Sequence, residues 1–130
     1  MQPARLRARA WIDACLTVCR AQAVPATVLA RGDADAGSAL LKWRHPDGLG
    51  SVLAPMTNME GERVWQPAMG TEPVSEADCD AYWKRQRDRD PDLWVLEIES
   101  RTLWHPLDEP VEGMAAAEPN AAEALFTKRR

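Results

Sequence analysis

The sequence lacks the short motifs on which several large enzyme families depend. It has no Gly-x-Ser-x-Gly nucleophile elbow, no P-loop and no Gly-x-Gly-x-x-Gly fingerprint. Its three cysteines form no Cys-x-x-Cys pair, and it contains two histidines. Hydrolases of the elbow type, P-loop nucleotide binders and dinucleotide-dependent enzymes therefore have no support in the sequence. We predict no cofactor and no catalytic residue.

The sequence also lacks an excess of basic over acidic residues, and it lacks a long apolar run. Its formal net charge is −4 at pH 7, whereas nucleic-acid binding normally needs clustered basic residues that displace counterions from phosphates. No apolar run approaches the roughly 20 residues that span a bilayer. Asp13 and Arg20 interrupt the N-terminal segment that otherwise imitates a signal peptide. We predict a cytoplasmic protein that binds neither nucleic acid nor membrane.

The three cysteines argue against a secreted disulfide framework, because their number is odd. Cys15 and Cys19 lie one helical turn apart, and with Cys79 and either His45 or His105 they offer the residue types of a zinc site. All three cysteines, however, fall on apolar helix faces, where cysteine behaves as a small hydrophobic residue. We therefore predict no metal site.

Hydrophobic periodicity predicts a helix followed by three or four strands in the first half of the chain. Apolar residues recur at helical spacing over Ala4–Gln22, and Pro25 ends that pattern. Pro46-Asp47-Gly48 lies between two apolar runs and predicts a hairpin, and a second turn is predicted around Gly61. The predicted strands are Ala26–Arg31, Ser38–His45, Gly50–Met56 and, more weakly, Arg63–Ala68.

The second half of the chain predicts one helix and one buried strand. Ser75-Glu76-Ala77-Asp78 has capping-box spacing and predicts a helix that runs to about Asp90. Asp92–Ser100 is apolar on both sides for part of its length, which is typical of a strand with helices on both faces of its sheet. A last short strand is predicted at Thr102–Pro106. The fold class is therefore α/β: a mixed sheet with helices packed on its faces in three layers.

Length and composition divide the chain into one domain and a tail. A chain of 130 residues suits a single domain with a modest core, which we predict at residues 1–110. The following residues, 111–130, are rich in alanine and glutamate and predict a flexible tail. Asn120–Lys128 has the spacing of a short helix within that tail.

The stretch Arg31–Lys42, RGDADAGSALLK, has three interpretations: an adhesion signal, a metal or phosphate site, or a turn between two strands. Adhesion needs an extracellular chain, which the cysteine count disfavours. Gly32 and Gly37 permit a tight backbone, and Asp33 and Asp35 can hydrogen-bond within their own turn. We interpret the stretch as a strand-to-strand loop, and because loops carry function, it is also a candidate for ligand contact.

Candidate contact residues come from this loop and from a surplus of tryptophan. The chain has six Trp against one Tyr and one Phe, and six indoles cannot all lie at the centre of so small a domain. A tryptophan at the surface marks a contact site, although partly buried packing is the simpler interpretation. The candidate ligand or partner contacts are Arg31, Asp33, Asp35, Lys42, Trp43 and Trp104.

Four segments taken in order, ARLRARAWIDACL, ARGDADAGSALLK, DPDLWVLEIE and LDEP, resemble a family of short bacterial proteins known as domain of unknown function 1491. The resemblance covers Ala4 to Pro110, and the combination of the Gly-Asp-x-Asp-Ala-Gly loop with the Asp-Pro-Asp-Leu-Trp-Val strand entry makes it specific. It implies a small cytosolic α/β protein with no established activity, substrate or catalytic residues. The cysteines, Trp43–His45 and the tail after Glu112 are not part of the family pattern.

We predict a noncatalytic binding or protein-interaction module with an unknown protein partner. The C-terminal tail is one candidate for the contact with this partner. The sequence is also compatible with a homodimer. The alternative is a small metal-dependent enzyme, because the element order resembles restriction-endonuclease-like nucleases, in which an acidic residue and a Glu-x-Lys hold a divalent metal. Asp33 or Asp35 offers the first carboxylate, but no lysine here has an acidic residue two positions before it. Asp33 or Asp35 beside Glu97 or Glu99 in one cleft favours the enzyme.

Overall fold

The computed structural model of the protein describes residues 7–107 and 109–113. The predicted helix at Asn120–Lys128, and all of the predicted tail after residue 113, lie outside the described residues. The two helices are α1, Ala8–Ala21, and α2, Glu76–Arg89. The strands are β1, Ala26–Ala30; β2, Ala39–Arg44; β3, Leu49–Thr57; β4, Arg63–Pro67; β5, Val74–Ser75; and β6, Trp94–Glu99.

The strands form one mixed sheet, which confirms the predicted fold class. Five of them lie in the order β1-β6-β2-β3-β4, and the short β5 pairs with the first residues of β3. All neighbouring pairs are antiparallel except β2 and β6, which run parallel with Leu41 opposite Leu96. β6, the last strand among the described residues, is therefore inserted between β1 and β2.

The two helices cover opposite faces of the sheet. Leu96 and Ile98 of β6 belong to the same buried cluster as Trp11 and Cys15 of α1. Val95, which points the other way, packs with Cys79 of α2. The prediction that β6 is covered on both faces is thus confirmed, and the molecule has three layers.

Local signals in the sequence place most of the element boundaries. The hairpin between β2 and β3 turns at Gly48, with φ of +92°, and the hairpin between β3 and β4 turns at Gly61, with φ of +83°. The Ser75 hydroxyl accepts a hydrogen bond from the backbone N–H of Asp78 and caps α2. Within the described residues, neither helix is long and apolar enough to cross a membrane.

The predicted strand at Thr102–Pro106 is wrong, because this segment forms bends and turns. It was expected to pair with β6, but β1 and β2 already occupy the two edges of β6. The chain instead crosses to the other end of the sheet. There Val111 forms a parallel bridge with Trp65 at the free edge of β4.

The loop at residues 31–38, which we call the aspartate loop, joins β1 to β2 across the end of β6, as the strand-to-strand interpretation requires. The backbone N–H of Asp33 donates to the carbonyl of Asp92 at 3.0 Å. A Cβ atom added at Gly32 would lie 1.9 Å from that carbonyl oxygen, and one at Gly37 would lie 2.3 Å from it. Glycine is needed here because the two backbones touch.

We expect Gly32→Ala to lower the free energy of unfolding by about 3 kcal/mol, because the added methyl group overlaps backbone atoms that cannot move aside cheaply. Chemical denaturation of the purified chain measures the loss. Ala34→Ser, which adds one atom at an exposed position of the same loop, serves as the control and should leave stability unchanged. Equal stability of the two variants would show that the loop relaxes around the methyl group.

Candidate functional site

A cavity of about 1050 Å³ opens at the end of the sheet where α1 begins. We call it the cleft. Its walls are the start of α1, the second half of the aspartate loop, the hairpin between β3 and β4, and the segment that follows β6. The lining residues used below are Arg7, Trp11, Asp35, Pro55, Met56, Glu60, Glu62, Arg63, Leu107 and Glu109.

The cleft has apolar groups that water reaches. Trp11, Pro55 and Leu107 line it, and the side chain of Met56 is 42% exposed beside them. Met59 at the tip of the adjoining hairpin is fully exposed. Methionine is flexible and polarizable, so exposed methionines suit a surface that adapts to the shape of a ligand.

Carboxylates outnumber guanidinium groups around the cleft. Asp35 is neutralised by Arg7, whose Nη1 lies 3.0 Å from its Oδ1. Arg63 lies over the ring of Trp65, with its Cζ 5.6 Å from the ring centroid. Glu60 and Glu62 are exposed on the hairpin, so they give that rim of the cleft a negative charge.

One wall of the cleft is held by a carboxylate between two indoles. The Nε1 groups of Trp11 and Trp65 both donate to Glu109 Oε1 at 3.2 Å, and the two rings stack at 5.3 Å. His105 Nε2 lies 3.5 Å from the same oxygen, while its Nδ1 accepts from the N–H of Leu107. This arrangement anchors the segment after β6 against the core.

The anchored segment continues as an extra edge beside β4. The N–H of Trp65 donates to the carbonyl of Pro110, and the N–H of Glu112 donates to the carbonyl of Trp65, both at 2.8 Å. Residues 110–112 therefore cover part of the β4 edge. Glu109 and these two backbone bonds together fix the position of the wall.

A second polar cluster lies on the opposite face of the sheet, beneath α2. The side chain of Lys42 is 2% exposed, and its Nζ lies 2.6 Å from Asp80 Oδ1, 2.7 Å from Glu97 Oε2 and 3.4 Å from Glu76 Oε1. Arg44 extends the cluster by bridging Glu76 and Glu99. The parallel register of β2 and β6 creates the two cross-strand pairs, because it sets Lys42 beside Glu97 and Arg44 beside Glu99.

Hydrogen bonds within the cluster keep Lys42 and Asp80 in their charged forms despite burial. Burial alone would lower the pKa of Lys42, but hydrogen bonds to Asp80 and Glu97 raise its pKa above the ordinary 10.5. Burial alone would raise the pKa of Asp80, but hydrogen bonds from Lys42 and Trp83 hold its pKa below the ordinary 3.8. Lys42 is therefore a cation at neutral pH, a state in which its amine is no nucleophile.

The six sequence candidates are spread over the molecule, and Asp35 is the one that lines the cleft. The Asp33 carboxylate accepts from the N–H groups of Asp35 and Ala36, as expected for a turn. Those bonds lower the pKa of Asp33. Arg31 stacks over Trp94, with its Cζ 5.5 Å from the ring centroid.

The other three candidates, Lys42, Trp43 and Trp104, are buried or half-buried and contact other parts of the protein. Lys42 lies in the cluster beneath α2. Trp43 is 4% exposed, and its Nε1 donates to the carbonyl of Ser100 at 3.0 Å. Trp104 is half-buried and packs against the cluster around α1.

The cysteines do not converge. Cys15 and Cys19 face the cluster around α1, whereas Cys79 lies across the sheet in the cluster beneath α2. Burial raises the pKa of the Cys79 thiol to about 11 and also raises the pKa of Cys15 and Cys19. Across residues 7–107 and 109–113, no three His, Cys, Asp or Glu side chains are grouped so as to hold a metal ion.

Sequence reasoning missed most of the cleft. Glu109 stood at the edge of the predicted tail, and nothing in its local sequence pointed to Trp11, 98 positions away. The turn around Gly61 was recognised, but the exposed Met56 and Met59 on either side of Asn58 were not singled out. Two methionines beside an acidic turn were the signal that could have indicated a contact surface.

We expect Lys42→Met to lower the free energy of unfolding at pH 7 by about 3 kcal/mol, because it leaves carboxylates beneath α2 without their cation. Lys84→Met is the control, since Lys84 is an exposed lysine on α2. Equal losses in the two variants would show that the cluster contributes nothing specific.

The same cluster predicts how stability depends on pH. The lowered pKa of Asp80 contributes stability that is present above pH 3.8 and is lost as pH falls below it. The raised pKa of Lys42 contributes stability that is present below pH 10.5 and is lost as pH rises through the folded-state value above it. The free energy of unfolding, measured from below pH 3.8 to above pH 10.5, should fall at both ends of the range in the native chain. The decreases should be smaller in Lys42→Met.

We expect Glu109→Ala to lower the free energy of unfolding by about 2 kcal/mol, because two indole N–H groups lose their acceptor. Glu109→Gln keeps a carbonyl oxygen in place and should lose less. Hydrogen exchange at the N–H of Glu112 should accelerate in the alanine variant, because the segment paired with β4 loses its anchor. If the alanine and glutamine variants behave alike, the indole bonds do not hold the segment.

Comparisons with known proteins agree with the resemblance in the sequence. The profile of a family described as a protein of unknown function (DUF1491) matches residues 6–108. No curated protein sequence matches this chain.

Solved structures give the same relationship. A crystal structure of a DUF1491 family protein from Caulobacter crescentus CB15 is similar, with 37% identity and a TM-score of 0.74 over 83% of this chain and 100% of that one. An NMR structure of a DUF1491 family protein from the same organism has 36% identity and a TM-score of 0.73 over 85% and 99% of the two chains. Protein Atu0922 from A. tumefaciens has 25% identity and a TM-score of 0.68 over 86% and 100%. This chain belongs to the DUF1491 family.

Proposed function

We propose that the protein is a noncatalytic interaction module that holds a short segment of a partner protein in the cleft. The observation that carries the proposal is the lining of the cleft, where exposed apolar groups stand beside an acidic rim. An exposed apolar patch with a polar border is typical of a contact surface. The cleft volume of about 1050 Å³ is at the top of the usual range for ligand sites, which suits a chain segment.

The charge of the rim indicates the kind of segment that fits. Glu60 and Glu62 are exposed, whereas Arg7 is already paired with Asp35 and Arg63 lies over Trp65. Glu62 accepts a hydrogen bond from the amide of Asn58, but among the described residues neither Glu60 nor Glu62 is paired with a cation, so both can pair with a basic side chain of the partner. We therefore propose a segment with one large apolar residue that packs on Met56 and the half-buried Pro55 and Leu107, flanked by lysine or arginine.

The groups around the cleft support binding rather than covalent chemistry. The Glu109 carboxylate is committed to two indoles, and Asp35 is committed to Arg7. The three thiols are buried, and burial raises the pKa of each. Glu109 thus holds one wall of the cleft in place, and none of the three buried thiols lines the cleft.

The alternative, a metal-dependent enzyme with nuclease-like architecture, has less support. Asp35 lines the cleft on the α1 side of the sheet, whereas Glu97 contacts Lys42 beneath α2. Asp33 accepts hydrogen bonds from its own turn. An enzyme of this kind would need Asp33 or Asp35 beside Glu97 or Glu99 in one cleft. In the described residues these aspartates do not share a cleft with either glutamate.

We further propose a cytoplasmic location for this activity. Three buried cysteines without disulfides support it, because thiols persist in a reducing compartment. The contribution of the C-terminal tail to partner binding also stands as a proposal, and its described beginning at residues 111–113 runs along β4 away from the cleft.

Met56→Lys tests the cleft, because it removes an apolar contact and adds a charge that repels a basic segment. Leu49→Lys is a matched control: both side chains are 42% exposed and both lie on β3, but Leu49 is at the opposite end of the strand. Peptides selected for binding to the native chain from a random displayed library serve as the probe. We expect Met56→Lys to raise the dissociation constant of these peptides by about tenfold or more, and Leu49→Lys to leave it unchanged.

The composition of the selected peptides is a second readout. Enrichment of lysine or arginine beside a large apolar residue supports the proposal, and Glu62→Gln should then reduce affinity for those peptides. Failure to recover any peptide whose binding depends on Met56 would contradict it. Acidic consensus peptides would also contradict the proposed charge of the partner.

A further inference from the structure

The two edges of the sheet differ in how they are covered. At the β4 edge, residues 110–112 pair with Trp65. At the other edge, β1 pairs with β6 on one side, and no described residue forms a strand on its other side. An uncovered edge presents unpaired backbone groups to any strand that can align with it.

The hydrogen-bond pattern identifies which groups of β1 face outward. The N–H of Glu99 donates to the carbonyl of Pro25, which places these two residues at a hydrogen-bonded position of the ladder, although proline has no N–H to donate in return. In an antiparallel ladder the next hydrogen-bonded pair is Thr27 with Glu97. The residues between them, Ala26 and Val28, therefore direct their N–H and C=O groups away from β6. Two donors and two acceptors lie along this edge.

β1 has few of the features that usually block edge pairing: its pairing with β6 shifts register between Val28 and Ala30, but the regular part of the strand, Ala26–Val28, precedes that shift. Its five residues, ATVLA, include no charge, no proline and no glycine. Val28 and Leu29 are half-buried on opposite faces, so each face of the edge has an apolar side chain that a neighbouring strand would cover. Thr27 is the exposed residue of the strand.

We propose that β1 pairs antiparallel with β1 of a second copy of this chain, about a two-fold axis at Thr27. In this register Ala26 of each copy lies opposite Val28 of the other, and their outward groups form four backbone hydrogen bonds. The two Thr27 side chains then face each other as a non-hydrogen-bonded pair, with Cα atoms about 4.5 Å apart. The two sheets become one continuous sheet.

Charge and area identify a second copy as the occupant and set the strength of pairing. The pattern is self-complementary, with small Ala26 against larger Val28, and no like charges meet because β1 carries none. A five-residue strand is about 17 Å long, so the contact is smaller than the roughly 1,200 Å² of a stable interface. The dimer therefore dissociates on dilution. The cleft lies at the other end of the sheet's strand order, so this pairing does not depend on the proposed function.

Substitution at the two-fold axis tests the register by charge. Thr27 is exposed, so Thr27→Glu and Thr27→Lys leave the core intact, but each places like charges opposite each other in the homodimer. Sedimentation of the full chain over a concentration series should show dimer for the native chain. It should show a dissociation constant at least tenfold higher for either variant, and dimer again when the two variants are mixed.

A cross-link gives a second test that does not depend on the strength of the contact. Thr27→Cys brings two thiols within disulfide distance across the axis, and the three natural cysteines are buried, so the background is low. Thr57→Cys is the matched control, an exposed threonine at the end of β3. We expect oxidation to yield a disulfide-linked dimer from Thr27→Cys and little from Thr57→Cys.

Several outcomes overturn the proposal. One is a native chain that stays monomeric at the highest concentration while Thr27→Cys fails to cross-link. Another is a dimer that Thr27→Glu does not weaken, which would place self-association on a different surface. Equal cross-linking of Thr27→Cys and Thr57→Cys would indicate random collision.

Discussion

The parallel pairing of β2 with β6 is the constraint on which the rest of the structure depends. It inserts β6 into the middle of the sheet, between β1 and β2. A central strand buried on both faces needs a helix on each side, and the chain supplies one helix before the strands and one just before β6. The same register sets Lys42 beside Glu97, where α2 provides Asp80 as the second partner.

Different interactions hold the two helices against the two faces of the sheet. On the α1 face, Trp11, Ile12 and Cys15 are buried, and apolar burial accounts for the contact. On the α2 face, Cys79 is the fully buried residue of the helix, Tyr82 and Trp83 are partly buried beside it, and the ion pairs of Lys42 add charged contacts between α2 and β2. Buried ion pairs add little net stability, but they specify one arrangement, because any other would leave a charge unpaired.

Much of the fold was predictable from the sequence, because its local signals agree with its tertiary structure. The cap at Ser75, the turns at Gly48 and Gly61 and the doubly apolar β6 each determine an element by themselves. The strand at Thr102–Pro106 was predicted wrongly because a local pattern cannot report that both edges of β6 are already taken. The loop pattern in the sequence singled out Asp35, which lines the cleft. The contact between Glu109 and Trp11 is tertiary, and the spacing of residues along the sequence does not predict such contacts.

The position of the cleft follows from the path that the chain takes after β6. Because β6 is central, the chain must leave the sheet and return to a free edge, and β4 is the edge it reaches. Within the described residues the returning segment pairs with β4 through one bridge, at Val111, and a side chain anchors it: Glu109 accepts from two indoles that stack on each other. That anchor leaves the hairpin tip at Met59 and the start of α1 uncovered on either side, and the space between them is the cleft. The apolar surface exposed there is thus a consequence of the topology, and it is the observation on which the proposed binding of a partner segment depends.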